Sequence, residues 1–192
     1  MIKAAITGNI ASGKSTVQNI IQDYGYKVID TDIISKKYLT VKNKSLYETF
    51  KDYDVFENGE FSRYKVGQLI FSDEYARKKI AEIMHPQIKD DMLRFFKENE
   101  KEKMAFVGIP LLFEANMQDL FDKVIFVYAN DDIRLERLIK RNNYTIEHAK
   151  DRMNSQQSQD AKIELSDYII CNNNSIEDLQ DKVKKVLDEL SS

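Results

Sequence analysis

Residues 2–16, IKAAITGNIASGKST, decide the fold of this chain. A short apolar run, Ile2–Ile6, leads into the pattern G-x-x-x-x-G-K-S, which spans Gly8 to Ser15. Glycines at these positions let the backbone turn a row of N–H groups toward phosphate oxygens. The lysine adds a positive charge at the β- and γ-phosphates, and the serine hydroxyl is placed to bind Mg²⁺. With an apolar strand before it and a helix after it, the pattern predicts a nucleotide-binding phosphate loop.

The loop supplies the first candidate site residues. The helix that begins near Lys14 points the positive end of its dipole at the bound anion. We expect Lys14 to act in catalysis as well as in binding, and Ser15 to be a metal ligand. The residues predicted to contact the nucleotide are Gly8, Ala11, Ser12, Gly13, Lys14, Ser15 and Thr16.

The composition excludes several classes of protein. The chain has 192 residues, a hydrophobic fraction of 42% and a formal net charge of −3, which argue against a disordered chain and against a general nucleic-acid binder. The single cysteine, Cys171, excludes an internal disulfide and a cysteine-rich metal site. No apolar run approaches the roughly 20 residues that span a bilayer, and no signal-peptide pattern is visible. We therefore expect a cytoplasmic protein without nucleic-acid or membrane partners, and the oligomeric state stays open between monomer and small homo-oligomer.

Apolar runs and helical patterns alternate along the chain. Continuous apolar runs suit a parallel sheet that is covered on both faces, and the predicted strands are Ile2–Ile6, Lys27–Ile29, Met104–Ile109, Lys123–Ala129 and Tyr168–Cys171. Helices are predicted over Lys14–Tyr24, Asp132–Arg141 and Ser175–Leu190, the last with Ser175 as its N-cap. The predicted fold class is α/β, a P-loop NTPase fold with about five parallel strands flanked by helices.

Two intervals depart from this alternation. Residues 32–101 separate the second strand from the third with helical segments, a turn predicted at Glu57–Gly59 and a helix break predicted at Pro86. We interpret this interval as a helical substrate lobe inserted into a nucleotide-binding core formed by residues 1–31 and 102–192. Residues 142–162 are polar and helical without a strand, which indicates a short lid within that core.

Three classes of protein share such a loop: switch GTPases, motor or transport ATPases, and small-molecule kinases. A GTPase usually carries Asn-Lys-x-Asp after a later strand, but the similar stretch Asn43–Leu46 lacks the aspartate. The strand MAFVGIP does not end in the aspartate that holds the metal of an ATPase. A kinase instead needs an acceptor-side carboxylate and arginines that neutralise phosphoryl charge. The candidates for these roles are Asp30, Asp32, Arg134, Arg137, Arg141 and Arg152.

Motifs along almost the whole chain resemble one kinase family. They are ITGNIASGKSTV at the phosphate loop, VIDTDII at the second strand, IAEIMHPQI in the helical interval, IPLLFE after the third strand, RLERLIKRN and DRMNSQQ around the lid, and SDYIICNNNS near the end. In this order they are similar to the motifs of dephospho-CoA kinases. The resemblance implies a phosphotransferase that uses ATP and Mg²⁺ to phosphorylate the ribose 3′-hydroxyl of dephospho-CoA, the last step of coenzyme A biosynthesis.

The resemblance also assigns roles to single residues. Asp32 matches an aspartate taken to hold and deprotonate the acceptor hydroxyl. Arg137 and Arg141 match lid arginines that approach the ATP phosphates, and Asn172 matches an asparagine close to the adenine. The further substrate contacts that the resemblance implies are His85, Pro110 and Leu111.

Three positions depart from the family pattern. Thr31 replaces the alanine of an Asp-Ala-Asp motif, and Gly108 stands where many members have an aspartate. Asn174 stands where an Asn-x-Gly motif has its glycine, and asparagine is the next best residue for the left-handed turn that we expect there. The change at Gly108 bears on any metal role of that position.

Several residues also have a purely structural interpretation. Asp30 is expected to cap the following helix, and Glu114 to stabilise a helix start beyond PLLF. Arg134 and Arg152 are compatible with solvated helix charges as well as with phosphate binding. Two functional alternatives remain: another small-molecule or nucleoside monophosphate kinase of the same fold, and a non-catalytic nucleotide-binding module.

Overall fold

The computed structural model describes residues 1–191, and the chain divides into two compact units. One unit consists of Met1–Asp30 and the chain from Glu98 onward, and the other of Thr31–Lys97. Along the chain the elements are β1 (Ile2–Thr7), α1 (Lys14–Asp23), β2 (Lys27–Asp30), α2 (Thr31–Tyr38), α3 (Lys44–Phe50), β3 (Phe56–Glu57), β4 (Glu60–Phe61), α4 (Arg63–Ser72), α5 (Glu74–Glu98), β5 (Met104–Gly108), β6 (Lys123–Tyr128), α6 (Asp131–Asn142), α7 (Ile146–Asn154), α8 (Gln159–Glu164), β7 (Tyr168–Cys171) and α9 (Ile176–Leu190).

The first unit is built on a five-stranded parallel sheet with the order β2–β5–β1–β6–β7. The predicted strands and the predicted fold class are confirmed, because each strand ends within one residue of its predicted bounds. Gly108 is the register partner of both Ile6 and Asp30. The carboxyl ends of β1, β2 and β5 therefore lie at one level, and the phosphate loop begins at that edge of the sheet.

The core of this unit joins the sheet to α1 and α9, which contact each other. Continuous burial makes the strands apolar: Ile6 and Ile125 are fully buried, as are Val17 of α1 and Val183 of α9. Ser175 caps α9 as predicted, since its hydroxyl accepts from the Asp178 N–H at 3.3 Å. The packed helix α1 gives the residues at its N-terminus a fixed position at the end of β1.

The second unit is mainly helical. It consists of α2 to α5 and a short antiparallel hairpin, β3–β4. The turn of the hairpin has positive φ at Asn58 (51°) and Gly59 (81°), the torsions that a two-residue type I′ turn requires. The turn predicted from the sequence is therefore confirmed. Leu46, Phe50 and Met92 are fully or almost fully buried within this unit.

The helix break predicted at Pro86 is wrong. Helix α5 runs without interruption through 25 residues and contains Pro86 in its interior. A proline there removes one backbone hydrogen bond and costs about 3 kcal/mol. One buried stripe continues across it, and each well-buried apolar side chain contributes about 1.5–3 kcal/mol, which offsets that cost. The stripe consists of Ala76, Ile80, Met84, Ile88, Met92 and Phe96.

The interval 142–162 is helical and contains no strand, as predicted. Thr145 caps α7 by accepting from the His148 N–H, and Ser158 caps α8 by accepting from the Ala161 N–H. Two short helices with their own caps thus follow α6 before the last strand. Of the helices formed by residues 1–191, none combines the length and the apolar character that a bilayer crossing needs.

Candidate active site

The phosphate loop connects β1 to α1 and has a strongly constrained backbone. Ala11 and Gly13 have positive φ, 63° and 98°. A Cβ atom on Gly8 would lie 2.7 Å from the Val127 carbonyl oxygen, and one on Gly13 would collide with the side-chain amide of Asn172. Glycine is therefore required at both positions, by space at Gly8 and by space and torsion at Gly13. Ala11 holds a left-handed conformation at a cost of about 1–2 kcal/mol.

Several polar atoms of the loop are buried without a partner. Thr7 Oγ1, Asn9 Oδ1 and Ser12 Oγ accept or donate no hydrogen bond among the described residues. Each such buried group costs about 1–3 kcal/mol when it stays unpaired. Unpaired polar atoms close together on one loop are typical of a place that binds a polar ligand.

Asn9 and Ile10 form the loop tip, which is bound from outside by two segments. The Ile10 N–H donates to Gln156 Oε1 at 2.7 Å, and Arg134 Nε donates to the Ile10 carbonyl at 3.0 Å. Asn9 Nδ2 donates to the carbonyl of Gln157 at 2.9 Å. The loop tip is thereby tied to α6 and to the segment between α7 and α8.

Arg134 is a buried part of this arrangement. Its residue is 3% exposed, and its Nη1 bonds Asp131 Oδ1 at 2.8 Å. Burial lowers the pKa of the Arg134 guanidinium, and the nearby Asp131 carboxylate opposes that shift. The interpretation of Arg134 as a solvated helix charge is therefore wrong, because its guanidinium supports the backbone of the phosphate loop.

Lys14, Asp30 and Gln18 form the loop base. Lys14 Nζ donates to Asp30 Oδ2 at 2.6 Å and to Gln18 Oε1 at 3.3 Å, and the Lys14 and Asp30 side chains are only 10% and 15% exposed. The Asp30 carboxylate thus holds the loop lysine, and its role as a cap of the following helix stays a prediction. Sequence reasoning missed this pair because residues 16 positions apart meet only through the βα packing.

Gly108 makes room for Gln18. A Cβ atom at position 108 would collide with the side-chain amide of Gln18 and would lie 3.0 Å from Asp30 Oδ2. Gln18 is 5% exposed and fills the space that a side chain on β5 would take. Glycine at position 108, where many family members have an aspartate, therefore leaves the space in which Gln18 contacts Lys14 of the loop base.

Arg137 and Asn172 converge on Ser12 of the loop. Asn172 Nδ2 donates to the Ser12 carbonyl at 2.8 Å, Arg137 Nη1 donates to the same oxygen at 3.4 Å, and Arg137 Nη2 donates to the Asn172 carbonyl at 3.0 Å. The two predicted site residues thus meet at the loop, which places a guanidinium beside the phosphate-binding backbone. Arg141 lies one turn further along α6, is exposed and bonds Asn142 Oδ1 at 2.9 Å.

The segment after β5 contains a second ion pair. Residues 110–116 form turns, so the helix start that Glu114 was expected to stabilise is absent there. Glu114 Oε1 instead lies 2.6 Å from Nζ of Lys162, whose side chain is fully buried. Pro110 and Leu111 open this segment, and Leu111 is 48% exposed. Sequence reasoning missed Lys162, since a lysine at the end of a polar interval gives no sign of burial.

The left-handed turn expected at Asn174 is also wrong. Within residues 1–191, the asparagines with positive φ are Asn58, Asn116 and Asn143. Asn174 instead donates from Nδ2 to Asp178 Oδ2 at 3.2 Å. The connection after β7 therefore needs no glycine at this position, because the side chain joins the first turn of α9.

The helical unit carries the acceptor-side candidates. Asp32 lies in the first turn of α2, where its backbone carbonyl accepts from Ser35 Oγ at 3.0 Å. His85 is partly buried in α5, and burial lowers the pKa of its imidazole. Both residues sit on well-formed helices, so their backbones are fixed within that unit.

One comparison decides the family to which this site belongs. A family model described as dephospho-CoA kinase matches residues 2–178. The chain belongs to the dephospho-CoA kinase family. It is 40% identical to the dephospho-CoA kinase of Listeria innocua over 185 residues, which is 93% of this chain and 92% of that protein. It is 37% identical to that of Staphylococcus epidermidis over 193 residues, 96% of this chain and 93% of that protein.

Solved structures agree with the family assignment. The dephospho-CoA kinase from Campylobacter jejuni is 31% identical, with a TM-score of 0.64 over 98% of this chain and 97% of that one. A protein from Thermus thermophilus is 29% identical, with a TM-score of 0.87 over 100% and 98%. The shikimate kinase from Acinetobacter baumannii has a TM-score of 0.58 over 99% and 93% at 13% identity, which shows the shared fold alone.

Proposed function

We propose that this chain transfers the γ-phosphoryl group of ATP to the ribose 3′-hydroxyl of dephospho-CoA, which yields coenzyme A and ADP. Membership of the dephospho-CoA kinase family supports this function. The observation that carries it is the convergence of Arg137 and Asn172 on Ser12 of the phosphate loop. A loop that already has its arginine beside it is equipped to receive a triphosphate.

On the donor side, positioning and charge do most of the work. Phosphoryl transfer passes through a loose transition state, so catalysis depends mainly on alignment and on stabilising charge. The backbone of residues 8–16 would cradle the phosphates, and Lys14 would turn from Asp30 toward them. Arg137, with Arg141 on the same face of α6, would neutralise charge on the transferred group. Asn172 would lie near the adenine.

On the acceptor side, we assign Asp32 to the 3′-hydroxyl. Its carboxylate would hold the hydroxyl and accept its proton as the bond to phosphorus forms. Residues 32–101 would form the dephospho-CoA lobe with His85 as a substrate contact, and Pro110 and Leu111, which follow β5, would be further contacts. His85 suits a neutral hydrogen-bonding role at pH 7, since burial lowers its pKa.

Magnesium would be held mainly by the phosphates. Mg²⁺ usually keeps several waters and binds through one or two protein oxygens plus substrate phosphates. Ser15 offers an exposed hydroxyl in the first turn of α1. Among residues 1–191 no group of three or more acidic, histidine or cysteine side chains could hold a metal alone. This donor set fits a metal that arrives with the nucleotide and supplies further charge neutralisation.

The lid and the location complete the proposal. Residues 142–162 would close over the bound nucleotide and exclude water, which otherwise competes as acceptor. A cytoplasmic location and an assembly no larger than a small homo-oligomer stay predictions from the sequence.

Product identification tests this function directly. The purified chain is incubated with ATP, Mg²⁺ and either dephospho-CoA, AMP, gluconate or shikimate, and each product mixture is analysed by mass spectrometry. We expect dephospho-CoA alone to gain one phosphate group. Phosphorylation of another acceptor with none of dephospho-CoA would contradict the proposal, and ATP binding without any product would favour a non-catalytic module.

A further inference from the structure

Ile10 in the loop tip is unusual because both its backbone polar groups bind side chains from outside the loop. Its N–H donates to Gln156 Oε1 at 2.7 Å, and its carbonyl accepts from Arg134 Nε at 3.0 Å. A phosphate loop works by pointing its N–H groups inward. Ile10 instead points outward, so these two bonds fix the orientation of the peptide groups on either side of it.

The fixed peptide after Ile10 determines the conformation of Ala11. Ala11 has φ of 63°, a torsion that alanine rarely adopts. Strained torsions persist only when surrounding contacts over-determine them. The Ser12 N–H bond to the Asn9 carbonyl at 3.0 Å closes the turn across Ala11, and the two bonds to Ile10 hold that turn from outside.

The two supporting side chains differ in how they are held. Arg134 is buried and bonded to Asp131, which also accepts from Gln159 Nε2 at 3.0 Å. Gln156 is only partly buried, and its backbone N–H donates to the carbonyl of Met153 at 3.3 Å. Gln156 therefore lies just beyond the last turn of α7, whereas Arg134 lies within α6.

We propose that Gln156 is a positioning residue for the nucleotide. Its side-chain oxygen holds the loop tip in the conformation that binds phosphates, and it links the loop to the C-terminal end of α7. The inference rests on the proposed function in one respect, namely that ATP is the phosphoryl donor, and it does not depend on the acceptor. Its role is indirect, because it acts through Ile10 and Ala11.

A matched pair of variants tests this role. Gln156→Ala removes the acceptor of the Ile10 N–H, and we expect KM for ATP to rise about tenfold while KM for dephospho-CoA stays within twofold. Gln157→Ala is the control, since this neighbour is exposed and reaches Asn9 through its backbone carbonyl alone. Its kinetic constants should equal those of the unaltered chain.

Two further measurements separate positioning from general loss of structure. Hydrogen exchange should accelerate at the Ile10 amide in Gln156→Ala while the amides of β1 stay protected. Ala11→Gly allows the left-handed torsion without strain, so Gln156→Ala should raise KM for ATP less in that background than in the unaltered chain. Such coupling is expected between residues that act through one loop.

Binding of a non-hydrolysable ATP analogue keeps this test independent of the acceptor. An unchanged dissociation constant in Gln156→Ala would overturn the inference, as would an equal loss in Gln157→Ala or an equal rise in both KM values. Failure of the acceptor assay with intact analogue binding would contradict the proposed reaction and leave the role of Gln156 standing.

Discussion

The two ends of the phosphate loop are held in opposite ways. The loop tip binds Gln156 and Arg134 through backbone groups that face away from the phosphate side. In the loop base, the Lys14 ammonium group donates to the carboxylate of Asp30, an anion that takes the place of a phosphate. The tip can therefore keep its partners when a nucleotide arrives, whereas the base has to exchange them.

The loop tip therefore determines the shape of the phosphate-binding backbone, and the loop base determines its positive charge. Hydrogen bonds from outside the loop set its backbone before any ligand is present, which lowers the ordering cost of binding. The ion pair at the base keeps a poorly solvated ammonium group compensated until phosphate replaces the carboxylate. The loop tip thus keeps its hydrogen-bond partners and its backbone conformation, whereas the lysine of the loop base exchanges its carboxylate partner for phosphate.

Removal of the lysine breaks the loop base completely and should have the largest effect. In Lys14→Ala, kcat/KM is expected to fall about a thousandfold, because a charge aimed at the transferred group is lost. Steady-state kinetics with ATP and dephospho-CoA measure the loss. Lys185→Ala on the exposed face of α9 is the control, and a comparable loss there would contradict the assignment.

Asp32→Asn leaves both ends of the loop intact and changes the acceptor side alone. We expect kcat to fall about a hundredfold because the acceptor hydroxyl loses its carboxylate. The dissociation constant of a non-hydrolysable ATP analogue should stay unchanged, in contrast to Lys14→Ala. An Asp32→Asn enzyme with full turnover would exclude a catalytic role for this carboxylate.

Arg134→Met breaks the support of the loop tip. It leaves the partly buried Ile10 carbonyl without its donor and removes a buried side chain's contacts, and we expect a loss of about 2 kcal/mol in the free energy of unfolding, or about 6 °C in Tm. Thermal unfolding followed by circular dichroism checks this. The exposed neighbour Lys140→Met should change Tm by less than about 1 °C. Equal shifts in the two variants would show that Arg134 contributes no more than a surface cation.

Asp30→Asn should have the smallest effect and the opposite sign. Without the carboxylate charge, no anion competes with phosphate for the poorly solvated ammonium group of Lys14, and the ATP analogue is expected to bind about threefold more tightly. Isothermal titration calorimetry measures the change, with Asp181→Asn on α9 as the charge-matched control. Weaker binding in Asp30→Asn would mean that this carboxylate helps to hold the nucleotide or its metal.

Local patterns made the sheet and the loop predictable. Strand β6 is apolar and buried from Val124 to Val127, and the loop glycines are required by close contacts with neighbours such as Val127. The start of α9 was predictable from Ser175, because its hydroxyl caps a backbone N–H only three residues further along the chain. The strand pattern and the helix cap depend on residues that are near each other in sequence, and the loop glycines are recognisable by their fixed spacing although their contacts are distant.

Some other predictions failed where a distant partner decides the outcome. Arg134 looks like any exposed helix arginine until the loop is packed against it. Pro86 breaks an isolated helix, but a buried stripe on both sides of it keeps α5 continuous. Glu114 and Lys162 are 48 positions apart, and their pairing becomes visible only after the segment beyond β5 has folded.

The space shared by Gly108 and Gln18 restricts the evolutionary paths open to this enzyme. While Gln18 keeps its present conformation, a side chain at position 108 collides with its amide group. A carboxylate can therefore enter at 108 only if the Gln18 side chain turns away from Lys14 or residue 18 becomes smaller. The two positions are epistatic, so lineages that differ at one of them should differ at the other, and chimeras that mix the two solutions should be less stable than either parent.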